Sequence, residues 1–304
     1  MAAQRTKASD KQSVGKKLIG QLKKRYPGGV PKVDHDVLHT MLFGICLEDV
    51  SHEQAVQSLA RLEGSFHDLN EIRVSSITEL NRSFSDVPSG ETRAYFVRSV
   101  LHYVFEKFFA FDFEPLRRKT LEQATKQLNR IRGLSHFVRS FTLQQVLGSH
   151  LVPVDQSILK ASVWLGFVPV GATVEQASDE LKSAVRKADT PLFCHLLRCL
   201  AVDPKLAPQI DSLWSLPPEE GFDLMTASKR LDDLFAGRTQ MPQKPSKQKA
   251  KPENGATTKS VNKKSPAKSS ARKKPPAAAK TSKSVKKKVA KPATKTKRKV
   301  VKKK

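Results

Sequence analysis

One aspartate carries the strongest hint of chemistry in this chain. Asp155 stands near the end of "RIRGLSHFVRSFTLQQVLGSHLVPVDQSIL" (Arg130–Leu159), which reads as two helical arms around a glycine turn, then an acid just before a third helix. A carboxylate in that place has two uses. It can cap the third helix by accepting a first-turn N–H, worth about 1 kcal/mol, or it can serve as an acid, a base or a charge stabiliser at a reacting centre. The turn upstream bears on the choice. A helix, a tight turn and a second helix aim unpaired N–H groups at a phosphate. Gly133 permits close backbone approach there, and Ser135 can cap the second arm or donate to a phosphate oxygen. On local pattern alone the same residues also suit an ordinary helical hairpin.

The elements that must position these residues are helical. "SVGKKLIGQLKKRY" (Ser13–Tyr26) has Val14, Leu18, Ile19 and Leu22 at helical spacing and is stopped by "PGGVP". Asp36 is placed to cap "VLHTMLFGICLEDV", and a break at Ser51 precedes "HEQAVQSLARLEG". "SSITELNRS" reads as a short helix with Ser75 as cap and Glu79 near the capping-box position. "SGETRAYFVRSVLHYVFEKFFAF" (Ser89–Phe111) is the longest run, apolar around much of its girth, and so central. "PLRRKTLEQATKQLNRI", "TVEQASDELKSAVRKA", "TPLFCHLLRCLAV" and "GFDLMTASKRLDDLFAG" complete the set, with no sustained strand alternation and no internal repeat. The pattern predicts an all-α domain of ten or more modest helices.

Charge divides the chain. Residues 241–304 hold 24 Lys/Arg against one acid, Glu253, whereas residues 1–240 hold 31 basic and 28 acidic residues, a net of +3. The basic segment has no Phe, Trp or Tyr, so it cannot bury enough apolar surface to offset the entropy of ordering. The expected organisation is a flexible N-terminus over 1–12, a helical domain over 13–236 and a disordered Lys-rich tail over 237–304. An extended polycation neutralises phosphates and releases counterions with little sequence preference. DNA is therefore the expected partner, and RNA is a further ligand open to the tail. Three scattered cysteines, Cys46, Cys194 and Cys199, suit neither a disulfide framework nor a metal site. There is no signal-peptide pattern and no apolar run of bilayer length. An intracellular monomer is expected, at the nucleoid or in the cytoplasm of a bacterium, or in a nucleus, with no membrane, metal or cofactor.

The stretch "GLSHFVRSFTLQQVLG" followed by "SHLVPVDQSILKASVWLGFVP" resembles the helix–hairpin–helix and Gly/Pro/Asp loop of the endonuclease III superfamily of DNA glycosylases. Upstream, "EDVSHEQA" (Glu48–Ala55) is similar to a helix junction of that family, and the order of the pieces fits from about Ser13 to Asp203. The tail resembles those of linker-histone-like proteins. The resemblance implies a helix–hairpin–helix glycosylase-like fold, a role in base-excision repair, and Asp155 at the family's catalytic aspartate. It also implies a duplex grip through Gly133, Leu134, Ser135, His136 and Arg139.

The departures are chemical. The family's Schiff-base lysine falls on Phe137, which has no amine to attack a sugar carbon, so lysine-dependent lyase chemistry is excluded. The second hairpin glycine is Ser135, the small residue of the second helix is Arg139, and the duplex-probing glutamine falls on Cys46. The glutamate of adenine-type members falls on Leu42, and the four iron–sulfur cysteines are absent. Cys46 and Phe137 remain as pocket candidates, with His136 and Trp164 as further wall residues. His150 and His195 read as structural.

Two functions stay open on these residues. One is a monofunctional glycosylase, a hydrolase of the N-glycosidic bond in which Asp155 stabilises charge developing on deoxyribose and helps to orient a water. The other is a non-catalytic DNA-binding or chromosome-organising protein on a degenerate glycosylase scaffold. An open cleft beside Asp155 favours the first; aromatic side chains filling that space favour the second.

Overall fold

The computed structural model describes residues 7–32, 34–215 and 221–238. The expected disordered tail lies outside the described residues except for its first two positions. The described residues form helices and no strands, as the sequence periodicity requires.

The first lobe runs through the middle of the chain. Helix α1 (Ala8–Arg25) precedes it and belongs elsewhere; α2 (Val37–Leu47), α3 (His52–Ser65), α4 (Leu69–Val74), α5 (Ile77–Asn81), α6 (Gly90–Phe108), α7 (Leu121–Leu128) and α8 (His136–Leu147) build it. Local sequence sets the boundaries. The Asp36 side chain accepts the His39 amide, and Ser51 forms a capping box with Gln54. Ten of the eleven residues of α2 are buried, which fits its nearly continuous apolar sequence. Two details differ from the sequence reading. Ser76, not Ser75, caps α5 and pairs with Glu79, while Ser75 closes α4. The run from Pro115 is not one helix either: a 3-10 turn over Glu114–Arg118 ends before Thr120, whose capping box with Gln123 starts α7.

The second lobe joins α1 to the C-terminal helices α9 (Gln156–Trp164), α10 (Val174–Lys182), α11 (Thr190–Ala201), α12 (Ala207–Ser215) and α13 (Ala227–Phe235). Its core includes Leu18 and Leu22 of α1 with Trp164, Phe167, Phe193 and Leu197. The helical region begins before the expected boundary at residue 13. Lys11 is buried, with its ammonium paired to Glu180 and donating to the Phe167 carbonyl at 3.4 Å, so tertiary contacts hold the polar start of α1 in helix. Helix α12, in "APQIDSLWS", escaped the periodicity reading because it is short and carries Pro208, which the first turn tolerates.

Candidate functional site

The two lobes meet at the C-terminus of α2 and the N-terminus of α9. A helix ends with its last carbonyls unpaired. At α2 two buried guanidinium groups take over. Arg93, on α6, donates to the carbonyls of Ile45, Cys46 (3.1 Å) and Glu48, and also to that of Pro88 (2.9 Å). Arg198, on α11, donates to the carbonyls of Leu47 (2.7 Å) and Val50 (3.3 Å). Both cations also sit at the negative end of the α2 dipole, where positive charge is favoured.

Asp155 is the anion of this seam. Its Oδ1 accepts the Ile158 amide at 2.9 Å, the N-cap of α9. Its Oδ2 accepts the Asp49 amide at 3.0 Å and a guanidinium N–H of Arg198 at 2.8 Å. The carboxylate side chain has 0% of its surface exposed and its Arg198 partner 7%. Asp49 answers reciprocally, since its Oδ1 accepts the Ser157 amide at 2.7 Å. Asp49 holds φ +57°, a left-handed conformation that an aspartate tolerates better than most residues. Chain reversal at Asp49 thus brings a carboxylate from each lobe onto a backbone amide of the other.

The Phe137 ring backs the Arg198 cation. The Arg198 guanidinium lies 4.7 Å from its centroid, and Phe137 stacks on Phe141 with centroids 5.9 Å apart. At the position where the resemblance would put the Schiff-base lysine, an aromatic face supports the cation that pairs with Asp155. Two cavities lie nearby: one of about 60 Å³, lined by Phe43, His52, Phe137, Phe141, His195 and Arg198 among others, and one of about 220 Å³, lined by Asp49, Gln54, Ser157 and Lys160 among others. Asp155 lines neither. Cys46 lines neither as well. It is fully buried in α2, and burial pushes its thiol up to about 12.

The hairpin lies on the first lobe. Helix α7 ends at Leu128, the turn passes through Gly133 at φ +74°, and Ser135 caps α8 by accepting the Val138 amide at 3.1 Å. A Cβ at Gly133 would lie 2.9 Å from ring carbons of both Tyr95 and Phe96, so glycine is required by conformation and by space. The amides of His136 and Phe137 find no acceptor among the described residues. Of the expected grip residues, Gly133 is exposed, Ser135, His136 and Arg139 are half-buried, and Leu134 is in the core. His136 bonds Ser140 at 3.1 Å, and burial lowers its pKa. Two exposed arginines that the sequence reading did not single out, Arg130 and Arg132, flank the turn.

Glu48 links hairpin and seam. The Ser135 hydroxyl donates to Glu48 Oε2 at 3.1 Å. Burial, with smaller contributions from the Asp155 and Asp49 carboxylates, pushes Glu48 up to about 7 against the pull of the Ser135 hydroxyl and Arg93. Burial and the Asp155 charge raise Asp49 as well. A carboxyl whose folded pKa lies above its unfolded value contributes stability that is complete below the unfolded pKa and is lost as pH rises through the folded one. Glu48→Gln is therefore expected to match the wild type in urea stability near pH 4.5 and to exceed it by about 1–3 kcal/mol at pH 8. Parallel curves for the two proteins from pH 4.5 to 8 would refute this role.

Fold and site together define an all-α, two-lobed protein with a helix–turn–helix hairpin on one lobe and a buried aspartate–arginine pair at the seam. No family model and no curated protein matches the chain. Solved structures similar to it include a trapped endonuclease III–DNA covalent intermediate in an estranged-adenine complex (12% identity, TM-score 0.49). A non-covalent endonuclease III–DNA complex is similar at 14% identity and TM-score 0.48; each alignment covers 62% of this chain and 85% of the other. The H. pylori 3-methyladenine DNA glycosylase bound to 1,N6-ethenoadenine is similar at 14% identity and TM-score 0.39, over 75% of this chain and 95% of that one.

Proposed function

We propose that this chain is a DNA-binding protein that uses a glycosylase-like scaffold without its chemistry. The hairpin grips the duplex backbone through turn amides and flanking arginines, and the Lys-rich segment adds contacts that do not depend on sequence. Asp155 holds the lobes together instead of acting on a sugar.

One observation carries this reading: the Asp155 carboxylate is sealed between Arg198, two backbone amides and the Phe137-backed wall, with no exposed surface. A charge stabiliser for a deoxyribose cation must reach the sugar, and a water to be oriented must reach the carboxylate. An ion pair with Arg198 also cancels the negative charge that such a transition state would use.

The test incubates the full chain with duplexes carrying uracil, oxidised, alkylated or mismatched bases, followed by alkaline cleavage at any abasic site. The expected result is retardation of every duplex and release of no base. Release by the wild type that is lost in Asp155→Asn would overturn the reading in favour of a monofunctional glycosylase.

A further inference from the structure

Helix α6 carries adjacent rings, Tyr95 and Phe96, one residue apart and so on neighbouring faces. Phe96 turns inward and packs on the core of the first lobe. Tyr95 does not, and 42% of it is exposed. The rings lie 5.9 Å apart between centroids at 58°, and both edges meet the backbone of the hairpin turn at Gly133.

The carbon of Tyr95 that approaches the turn is Cε1, at 2.9 Å from the position a Gly133 Cβ would take. Cε1 neighbours the ring carbon that bears the hydroxyl, so the hydroxyl lies beside the turn. No hydrogen-bond partner for it occurs among the described residues. The turn next to it presents the exposed guanidinium-bearing residues Arg130 and Arg132, and the α8 amides of His136 and Phe137 lack acceptors. On α6, Thr92 and Arg98 stand one turn to either side of Tyr95, and Glu91 is the acid on that stretch. An unpaired hydroxyl, cations and free amides gather around one glycine turn, where the Glu48 carboxyl already accepts from the Ser135 hydroxyl. A phosphodiester supplies acceptors at the spacing of successive nucleotides, and tyrosine hydroxyls are among the groups that bind phosphate oxygens.

We propose that Tyr95 is a DNA-contact residue, its hydroxyl donating to a phosphate beside the one held at the hairpin turn. The inference rests on the hairpin reading of the preceding section. Its ring has a second duty, since it forms the floor on which Gly133 lies, and this separates two substitutions. Tyr95→Phe keeps the floor and removes the donor; Tyr95→Ala removes both.

The experiment uses the full chain and a plain duplex at saturation. Tyrosines are nitrated with tetranitromethane and arginines modified with phenylglyoxal, with and without DNA, and the sites are mapped by mass spectrometry. Tyr95 is expected to be protected by DNA together with Arg130 and Arg132, and Tyr95→Phe to bind about five-fold more weakly with unchanged melting temperature. Protection of the two arginines with Tyr95 still nitrated would overturn the inference and leave the hairpin reading intact. If none of the three is protected, both fall. Wild-type affinity in Tyr95→Phe would also overturn the assignment of the hydroxyl as the contact.

Discussion

Arg198→Ala is expected to destabilise the protein by about 3–5 kcal/mol, measured as a shift of the urea unfolding midpoint at constant slope. Three losses coincide. The Asp155 carboxylate keeps two amide donors but loses its counter-ion while its side chain has no exposed surface. The carbonyls of Leu47 and Val50 lose their donor at the end of α2. The Phe137 face loses the cation packed over it. Removing one member of a buried ion pair is costly mainly because the other is left charged and unpaired. Arg198→Met, which retains much of the side-chain volume, recovers packing but not the charge and should remain strongly destabilised. A loss under about 1 kcal/mol for Arg198→Ala would mean that Asp155 is not held in this way.

The second large effect is electrostatic. Truncation after Arg238 removes 24 basic residues and one acid. Each phosphate neutralised on duplex DNA contributes about −0.9 to the slope of log affinity against log salt. If roughly a third of the removed cations engage phosphates, the truncated protein should show a slope smaller by roughly seven. Its affinity at low salt should fall by more than about a hundred-fold. Residual binding then reports the hairpin alone, and Arg132→Glu in the truncated chain should reduce it further. Equal slopes for the long and short chains would remove the assigned role of the Lys-rich segment.

Much of the fold was legible because it depends on neighbours in sequence. Asp36, Ser51 and Asp155 precede apolar helical runs, and each caps the helix that follows. The long apolar stretch of α6 and the glycine turn before Ser135 were equally local. The site was legible in only one of its two halves. The cap role of Asp155 was local, but any chemical role depended on what faces it, and that is decided 43 residues later by Arg198, in a stretch that read as a buried helix. A charged residue inside "FCHLLRCLAV" was the available signal, since a buried arginine requires a partner. Glu48 and Asp49 were visible as part of the junction "EDVSHEQA", but their pairing with Ser135 and Ser157 crosses about 90 to 110 positions of chain and has no periodic trace. Phe137 could be read from the sequence as the loss of an amine; that it would support the cation neutralising Asp155 could not.

The central claim is that Asp155 is engaged by Arg198 as a structural ion pair, and a double-mutant cycle addresses it directly. Asp155→Asn, Arg198→Met and the double variant are compared with the wild type in urea at neutral pH. Asparagine can keep the α9 cap but not the bond from the Asp49 amide, and because that loss is common to the single and double variants the coupling isolates the charge pair. The predicted coupling is at least about 2 kcal/mol, with the double variant more stable than the sum of the single losses implies. Additive losses, with a coupling below about 0.5 kcal/mol, would contradict the pairing and return Asp155 to the candidates for chemistry.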